Sequence, residues 1–476
     1  MIYHHPLVER VYRNSPLLVQ NLLFSAYGFM GRCERAGGVS RRYMSELRET
    51  ERWPTERLKA LQDGRIRALV RHVYDNVPYY RRVLDERGLK AADIVNAEDL
   101  YRIPVLRKQD IRKHENELRS RNIPKWKTTI GRTGGSSGVP LKFALDRDRV
   151  IFDHCITDRQ WSWAGYKPGD RVALLRGLTI VVFDKHPGSY WRYDWAQNRI
   201  YFSGFHLSLA LMPLYVEKLQ ELRPKFIAAY PSNIFMLARY MEQTGIEVPV
   251  QAVFVSSEVT TPTERKIIEK QFRCKVWDRY GSAERAAVSH QCEFGNYHQN
   301  VEFGVMQVDS PLGTPALPGQ KGEIVQTSLT NFSMPLIRYA IEDVGYSVED
   351  TCACGRTLPL IGPVDGRKDD VIVTADGRFM PRAGLDQIHE FVANLERCQL
   401  VQERLGELIV RVLPRPGFND TDTAELISQL RKRLGPDTTI KVQLVDDLPL
   451  SATGKERFIV SRVDLNAVTG MQVQVR

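Results

Sequence analysis

No uninterrupted apolar run of about 20 residues occurs in the 476-residue chain, which excludes a clear membrane-spanning helix. Cysteine is scarce: seven residues, at positions 33, 155, 274, 292, 352, 354 and 398. An odd, sparse set in a chain this long does not make a disulfide framework and fits a reducing compartment, the cytoplasm. Internal repeats and low-complexity segments are missing, which removes solenoids and disordered linkers from consideration. A dense basic tail is missing too. The formal net charge is +10, but 57 acidic residues are interspersed among 67 basic ones. So diffuse an excess argues against dedicated nucleic-acid binding, while still attracting an anionic nucleotide or membrane.

What is present is a globular composition, 43% hydrophobic and 26% charged, in a chain long enough for two or three domains. Residues 1–125 read as a mostly helical region packed on a larger domain. Apolar and basic positions alternate at helical spacing over 57–83, until Pro78 breaks them. Residues 103–110 read as an extended entry to a helix, and 126–130 as a short strand. Over 126–368 strands and helices alternate, with apolar runs at 171–175, 225–229 and 252–256, a helix over 262–272 and a strand over 274–278. That pattern predicts an α/β core with a largely parallel sheet. Residues 304–336 carry the turn signals of a smaller β subdomain. From 369 onward, the strand at 408–413, the helix at 422–434 and the strand at 439–444 predict a small, mobile α+β domain.

The apolar segment 16–30, P-L-L-V-Q-N-L-L-F-S-A-Y-G-F-M, lacks a signal-peptide cleavage region and is interrupted by Gln20 and Asn21. The favoured expectation is a helix docked on the core. The alternative is a helix lying on a membrane surface, flanked by Arg10, Arg13, Arg32 and Arg35.

Four stretches carry chemistry. Residues 133–142 read T-G-G-S-S-G-V-P-L-K. Glycines allow close backbone approach, successive amides form an anion nest, and hydroxyls add donors for phosphate. Thr133, Gly134, Gly135, Ser136, Ser137 and Gly138 are the candidate phosphate loop. No lysine follows Gly138 directly, so it is not a P-loop of the G-x-x-x-x-G-K-[ST] kind. Residues 278–284 read D-R-Y-G-S-A-E after a predicted strand, where open α/β sheets bind ligands. A carboxylate there can hold a metal ion bridging phosphates, and an aromatic can stack on a purine. Residues 338–343, R-Y-A-I-E-D, end in an aspartate suited to ribose hydroxyls. Residues 451–455, S-A-T-G-K, place a lysine on a glycine-bearing loop, where it can meet a phosphate or carboxylate. Taken singly, each could be an ordinary loop or turn.

A fifth group is metal-like. Cys292 and His298 lie in Q-C-E-F-G-N-Y-H, and Cys352 and Cys354 in T-C-A-C-G-R. Together they make a Cys3His set for a closed zinc site, with His290 as a spare, although C-x-C is tighter than the usual C-x-x-C.

In order, these motifs resemble those of the adenylate-forming superfamily: its T-S-G-T-T-G-x-P-K loop at 133–140, and its Y-G-x-T-E at Tyr280, Gly281, Ser282, Ala283 and Glu284. They continue with its R-Y-R-T-x-D at Arg338, Tyr339 and Asp343, its hinge G-R-x-D-D at 366–370, and its P-x-x-x-x-G-K at Pro449, Gly454 and Lys455. Within it the chain is similar to the phenylacetate–coenzyme A ligase-like branch, including the CapK-type proteins of polysaccharide gene clusters. V-P-Y-Y-R-R at 77–82 and S-S-E at 256–258 belong to that similarity. So does the pairing of C-x5-H with C-x-C-G, which resembles that of phenylacetate-ligase relatives.

The resemblance implies ATP-dependent activation of a small carboxylic acid with Mg2+, then transfer to coenzyme A. It implies that the glycine loop holds the β- and γ-phosphates, Glu284 holds Mg2+ and Asp343 the ribose. Ser257, Glu258, Asp278, Tyr280, Gly281, Ser282 and Arg367 would line the nucleotide site. Arg338, Glu284 and Lys455 would be catalytic, and Asp369 the hinge. Leu141 and Ala283 depart from the family pattern. Residues 374–379 read T-A-D-G-R-F where thioester-forming relatives commonly have R-G-x-N-V. An amine or hydroxyl acceptor, as on a sugar, therefore stays open. A non-catalytic scaffold is the remaining class, disfavoured because it needs none of Glu284, Asp343, Asp369 and Lys455.

Overall fold

The computed structural model describes residues 12, 14–132, 141–176, 189–208, 210–310, 313–364, 371–375, 379–381, 385, 388, 391–448 and 458–463. The chain opens with helices α1 (Leu17–Ala36), α2 (Gly38–Thr50), α3 (Thr55–Asn76), α4 (Pro78–Asp85) and α5 (Lys108–Lys113). Pro78 ends the helical pattern as expected, and then serves as the first residue of α4, where its missing N–H costs nothing. These helices share a core with the small sheet described below, through Ile66, Val70, Tyr80, Val308 and Ile324.

Strands β1 (Thr128–Arg132) and β2 (Lys142–Asp146) pair antiparallel, with Arg132 opposite Lys142. This hairpin brackets residues 133–140, which lie outside the described part. Helix α6 (Arg147–Trp163) follows. Then come β3 (Val172–Arg176), β4 (Trp191–Asp194), β5 (Arg199–Ser203), α7 (Met212–Leu222), β6 (Phe226–Ala229), α8 (Pro231–Thr244), β7 (Ala252–Ser256), α9 (Pro262–Phe272) and β8 (Lys275–Gly281). Four further strands are β9 (Val288–Gln291), β10 (Tyr297–Gln299), β14 (Ser347–Val348) and β15 (Leu360–Ile361); β11 (Gly304–Asp309), β12 (Gly322–Ser328) and β13 (Tyr339–Gly345) lie between them in sequence.

Ten of these strands form one sheet, in the order β14-β15-β10-β9-β8-β7-β6-β3-β5-β4. The central run β5-β3-β6-β7-β8 is parallel; every other pairing is antiparallel. The sheet is thus mixed rather than largely parallel, because a short pair on one side and a set of tight turns on the other extend it without crossover helices. The parallel strands read as continuous apolar runs because both faces are covered. Alternate residues Ala173, Ile227 and Val253 meet α7, α8 and α9. Their neighbours Leu174, Ala228 and Phe254 meet Trp161 of α6, whose ring stacks on Phe254 at 4.6 Å between centroids.

Strands β11, β12 and β13 make a separate antiparallel sheet. The C-terminal part comprises the hairpin β16 (Val371–Val373) and β17 (Phe379–Pro381), and a four-stranded sheet β20-β19-β18-β21 (β18 Leu395–Gln402, β19 Glu407–Pro414, β20 Thr439–Leu444, β21 Ile459–Ser461). Helix α10 (Asp420–Leu434) packs on it through Leu426, Leu430 and Leu434. Asn419 caps α10 by accepting the amides of Thr421 and Asp422.

Candidate active site

The chain runs from β3 toward one edge and from β6 toward the other, so the carboxyl ends of these adjacent strands form the switch point where such sheets open a crevice. The turns leaving β6, β7 and β8 line it. After β6, Pro231 starts α8 and exposes the Ser232 amide at the helix N-terminus. After β7, Ser257 holds a left-handed φ of 77°, a cost a serine bears only where the turn is needed. That turn aims Glu258 back at α8. Its carboxylate accepts the Ser232 amide at 2.9 Å and the Ser232 hydroxyl at 3.3 Å. Burial lifts the carboxyl to about 7, against those two hydrogen bonds. Glu258 therefore ties two crevice turns together.

Strand β8 carries the next group. The Tyr297 hydroxyl donates to Asp278 at 2.6 Å, and burial raises the Asp278 carboxyl above its ordinary range. Asp278 is thus held by a neighbouring strand rather than standing open to a ligand. Two residues on, the Tyr280 hydroxyl donates to Asp343 at 2.9 Å. From the same β13, the Tyr339 hydroxyl donates at 2.5 Å to Glu284, a carboxylate only 5% exposed. Two motifs some sixty residues apart in sequence thereby meet through two tyrosine–carboxylate bonds. Between them the buried Ser282 hydroxyl has no hydrogen-bond partner among the described residues. An orphaned donor beside two carboxylates fits a polyanionic ligand with its cation. Gly281 leaves the turn its room, since a Cβ there would sit 3.2 Å from Val288.

Arg338 departs from expectation. Its guanidinium is buried, paired with Asp309 and stacked 4.3 Å from the Tyr101 ring. The residue holds a left-handed φ of 50°, its carbonyl accepts the Leu106 amide at 2.8 Å, and the Leu106 carbonyl accepts from Ala340 at 2.9 Å. Arg338 thus braces β13 against the N-terminal region instead of offering a free cation beside Glu284. The candidates Thr133, Gly134, Gly135, Ser136, Ser137, Gly138, Arg367, Asp369 and Lys455 lie outside the described residues.

Sequence reasoning named Tyr339 only as a motif letter, with no role of its own, and passed over Arg176. Arg176 ends β3 at the switch point, where burial lowers its pKa, and its buried Nε has no hydrogen-bond partner among the described residues.

The Cys/His set is assembled. The ligand atoms of Cys292, His298, Cys352 and Cys354 all lie within 4.8 Å of one another, and three of the residues are buried. Cys292 and Cys352 sulfurs are 3.6 Å apart, and Cys354 Sγ is 3.3 Å from His298 Nε2. His298 Nδ1 lies 3.2 Å from the Leu358 carbonyl, which assigns the proton to Nδ1 and leaves Nε2 as a donor for a metal. His290, the spare, is not in the group; its Nδ1 lies 3.3 Å from the Asn300 side-chain nitrogen.

The chain is similar to known proteins. Residues 372–462 match the CapK C-terminal domain. Protein CapK of Staphylococcus aureus is 26% identical over 478 residues, covering 96% of this chain and all of that one. The phenylacetate–coenzyme A ligase of Thermus thermophilus is 29% identical over 374 residues, covering 76% and 81%. The chain is a homologue of CapK and of the phenylacetate–coenzyme A ligases. Its fold is that of the adenylate-forming coenzyme A ligases: a 2-hydroxyisobutyryl-CoA ligase in complex with 2-HIB-AMP and CoA superposes with a TM-score of 0.57 at 20% identity, covering 89% and 94% of the two chains.

Proposed function

We propose that this protein activates a small carboxylic acid with ATP and transfers the acyl group to coenzyme A. The observation that carries the reading is the meeting of Tyr280 with Asp343 and of Tyr339 with Glu284 at the carboxyl end of β8. It unites the two family motifs on which nucleotide binding depends. The homology to phenylacetate–coenzyme A ligases supports the thioester as product.

In the first half-reaction a substrate carboxylate oxygen attacks the α-phosphorus of ATP. The bond to the β-phosphate bridging oxygen breaks, and pyrophosphate leaves. Asp343, oriented by Tyr280, would accept from ribose hydroxyls, and the Ser282 hydroxyl would donate to a phosphate oxygen. Residues 133–138 would supply the phosphate nest. Lys455 would balance the charge shared by carboxylate and phosphate in the transition state. Glu284 would hold Mg2+, whose chemistry is to neutralise the phosphates. In the second half-reaction the coenzyme A thiolate displaces AMP from the acyl carbon.

The Cys3His group fits structural zinc. Zn–S bonds of about 2.3 Å place neighbouring ligands about 3.8 Å apart on a tetrahedral edge, close to the 3.6 Å between Cys292 and Cys352. Such a site would pin the 352–354 turn to β10, inside the closed side of the sheet.

Pyrophosphate release across a panel of carboxylic acids, with and without coenzyme A, tests the assignment. Release that requires an acid and yields thioester is expected, and Lys455→Ala should lower the adenylation rate by about a hundredfold or more. Turnover only with an amine or hydroxyl acceptor would replace coenzyme A in the reading. No release with any acid would refute it.

A further inference from the structure

Helix α1 is turned inside out relative to an ordinary surface helix, whose apolar stripe faces the core. Its buried side combines Gln20, Phe24 and Gly28, with Asn21 and Ser25 bonded to β4 along the flank. Gln20 Oε1 accepts from Arg192 at 2.6 Å, Asn21 accepts the Tyr193 amide at 3.0 Å, and Ser25 accepts the Trp195 amide at 3.0 Å. Side chains thus cover the edge strand β4. Phe24 adds two aromatic contacts, to Tyr201 at 5.3 Å and to Tyr12 at 5.9 Å, and Gly28 permits the approach because a Cβ would collide with Asp194.

The outer face is apolar. Leu18, Leu22 and Phe29 are 64%, 52% and 59% exposed and fall within about 40° of one another around the helix. Met30, 65% exposed, borders them, and the exposed ring of Trp195 lies on the turn that Ser25 anchors. A run of large apolar side chains left in solvent, along a helix whose adjoining flank is bonded to β4 through Asn21 and Ser25, marks a docking surface. The charge around it selects the occupant: across residues 14–43 four arginines stand against one glutamate, with no lysine or aspartate. Arg32 lies beside the apolar stripe on the same helix, with one guanidinium nitrogen on the Ala196 carbonyl at 3.0 Å. Among the described residues no helix is long and apolar enough to cross a membrane.

We infer that the outer face of α1 docks this protein on an anionic lipid bilayer, lying in the interface with Leu18, Leu22, Phe29 and Met30 inserted and the arginines at the headgroups. The inference stands apart from the adenylation chemistry. It places the enzyme beside membrane-held acceptors or acids.

Flotation of the purified full chain with vesicles tests it. Co-flotation is expected with phosphatidylglycerol-containing vesicles and much less with pure phosphatidylcholine, falling as salt rises. Leu22→Glu with Phe29→Glu should weaken it by more than about tenfold, and Arg41→Gln, on the exposed adjoining helix, by about fivefold or less. Both variants should keep the wild-type circular dichroism and melting temperature. Absence of flotation with anionic vesicles would overturn the inference. So would a vesicle-free dimer that Leu22→Glu with Phe29→Glu dissolves, since the face would then belong to a second copy.

Discussion

Glu258 links a single carboxyl group to the pH dependence of the whole fold. Its folded pKa of about 7 lies above that of the exposed side chain. Below the unfolded pKa both states are protonated and the group has no effect. As pH rises toward 7 the unfolded chain loses its proton first, so stability falls across that window and then levels off. Glu258→Gln keeps a carbonyl to accept from Ser232 and removes the charge. Its melting temperature should match wild type near pH 4.5 and exceed it at pH 8. A constant difference at both pH values would show that the Glu258 charge is not the cause. The tyrosines obey a related logic. Tyr280 and Tyr339 are legible as motif letters, but their hydroxyls matter because of the carboxylates they reach. No local pattern reports that pairing.

Among the elements, the turn holding Cys352 and Cys354 has little regular structure of its own. Two-residue strands β14 and β15 flank it, and pairs this short cannot fix a turn by ladder hydrogen bonds alone. Metal ligation by Cys292, His298, Cys352 and Cys354 would supply the missing constraint. Elemental analysis should find about one zinc per chain, and Cys352→Ser should lose the metal together with several degrees of melting temperature. Zinc-free protein prepared without chelators, melting as the variant does, would remove the site and leave the enzyme reading intact. The sequence disclosed this Cys/His group because the spacing is local within each pair. The orientation of α1 was not disclosed. An apolar helix is ordinarily docked by its apolar face, and only the polar bonds to β4 reverse it.

For the whole molecule the question is how one crevice serves two half-reactions. On the proposed reading Lys455 and a thiol acceptor would approach the same acyl-phosphate centre, so different faces of the C-terminal domain would present themselves in turn. The motif G-R-K-D-D at 366–370 lies between β15 and β16, at the boundary with the domain that matches CapK over 372–462. A residue that absorbs such a rotation must adopt two backbone conformations. Asp369→Pro fixes φ near −65° and removes a donor. Single-turnover pyrophosphate release should persist in this variant while thioester formation slows by about tenfold or more. Equal thioester rates in variant and wild type would exclude the hinge.

The chain's own order of letters determined the α/β class, the strands and helices from 252 to 278, the motif set from 133 to 455 and the members of the Cys/His cluster. These rest on periodicity and short-range spacing, which sequence preserves. Tertiary structure alone decided that half the great sheet is antiparallel, because short turns and crossover helices are both compatible with the same apolar strands. It also decided that Arg338 pairs with Asp309, that Glu258 caps α8, and that α1 shows Leu18 and Leu22 to solvent. Each of those outcomes depends on which polar group a side chain meets across the fold, and partners that distant leave no local trace.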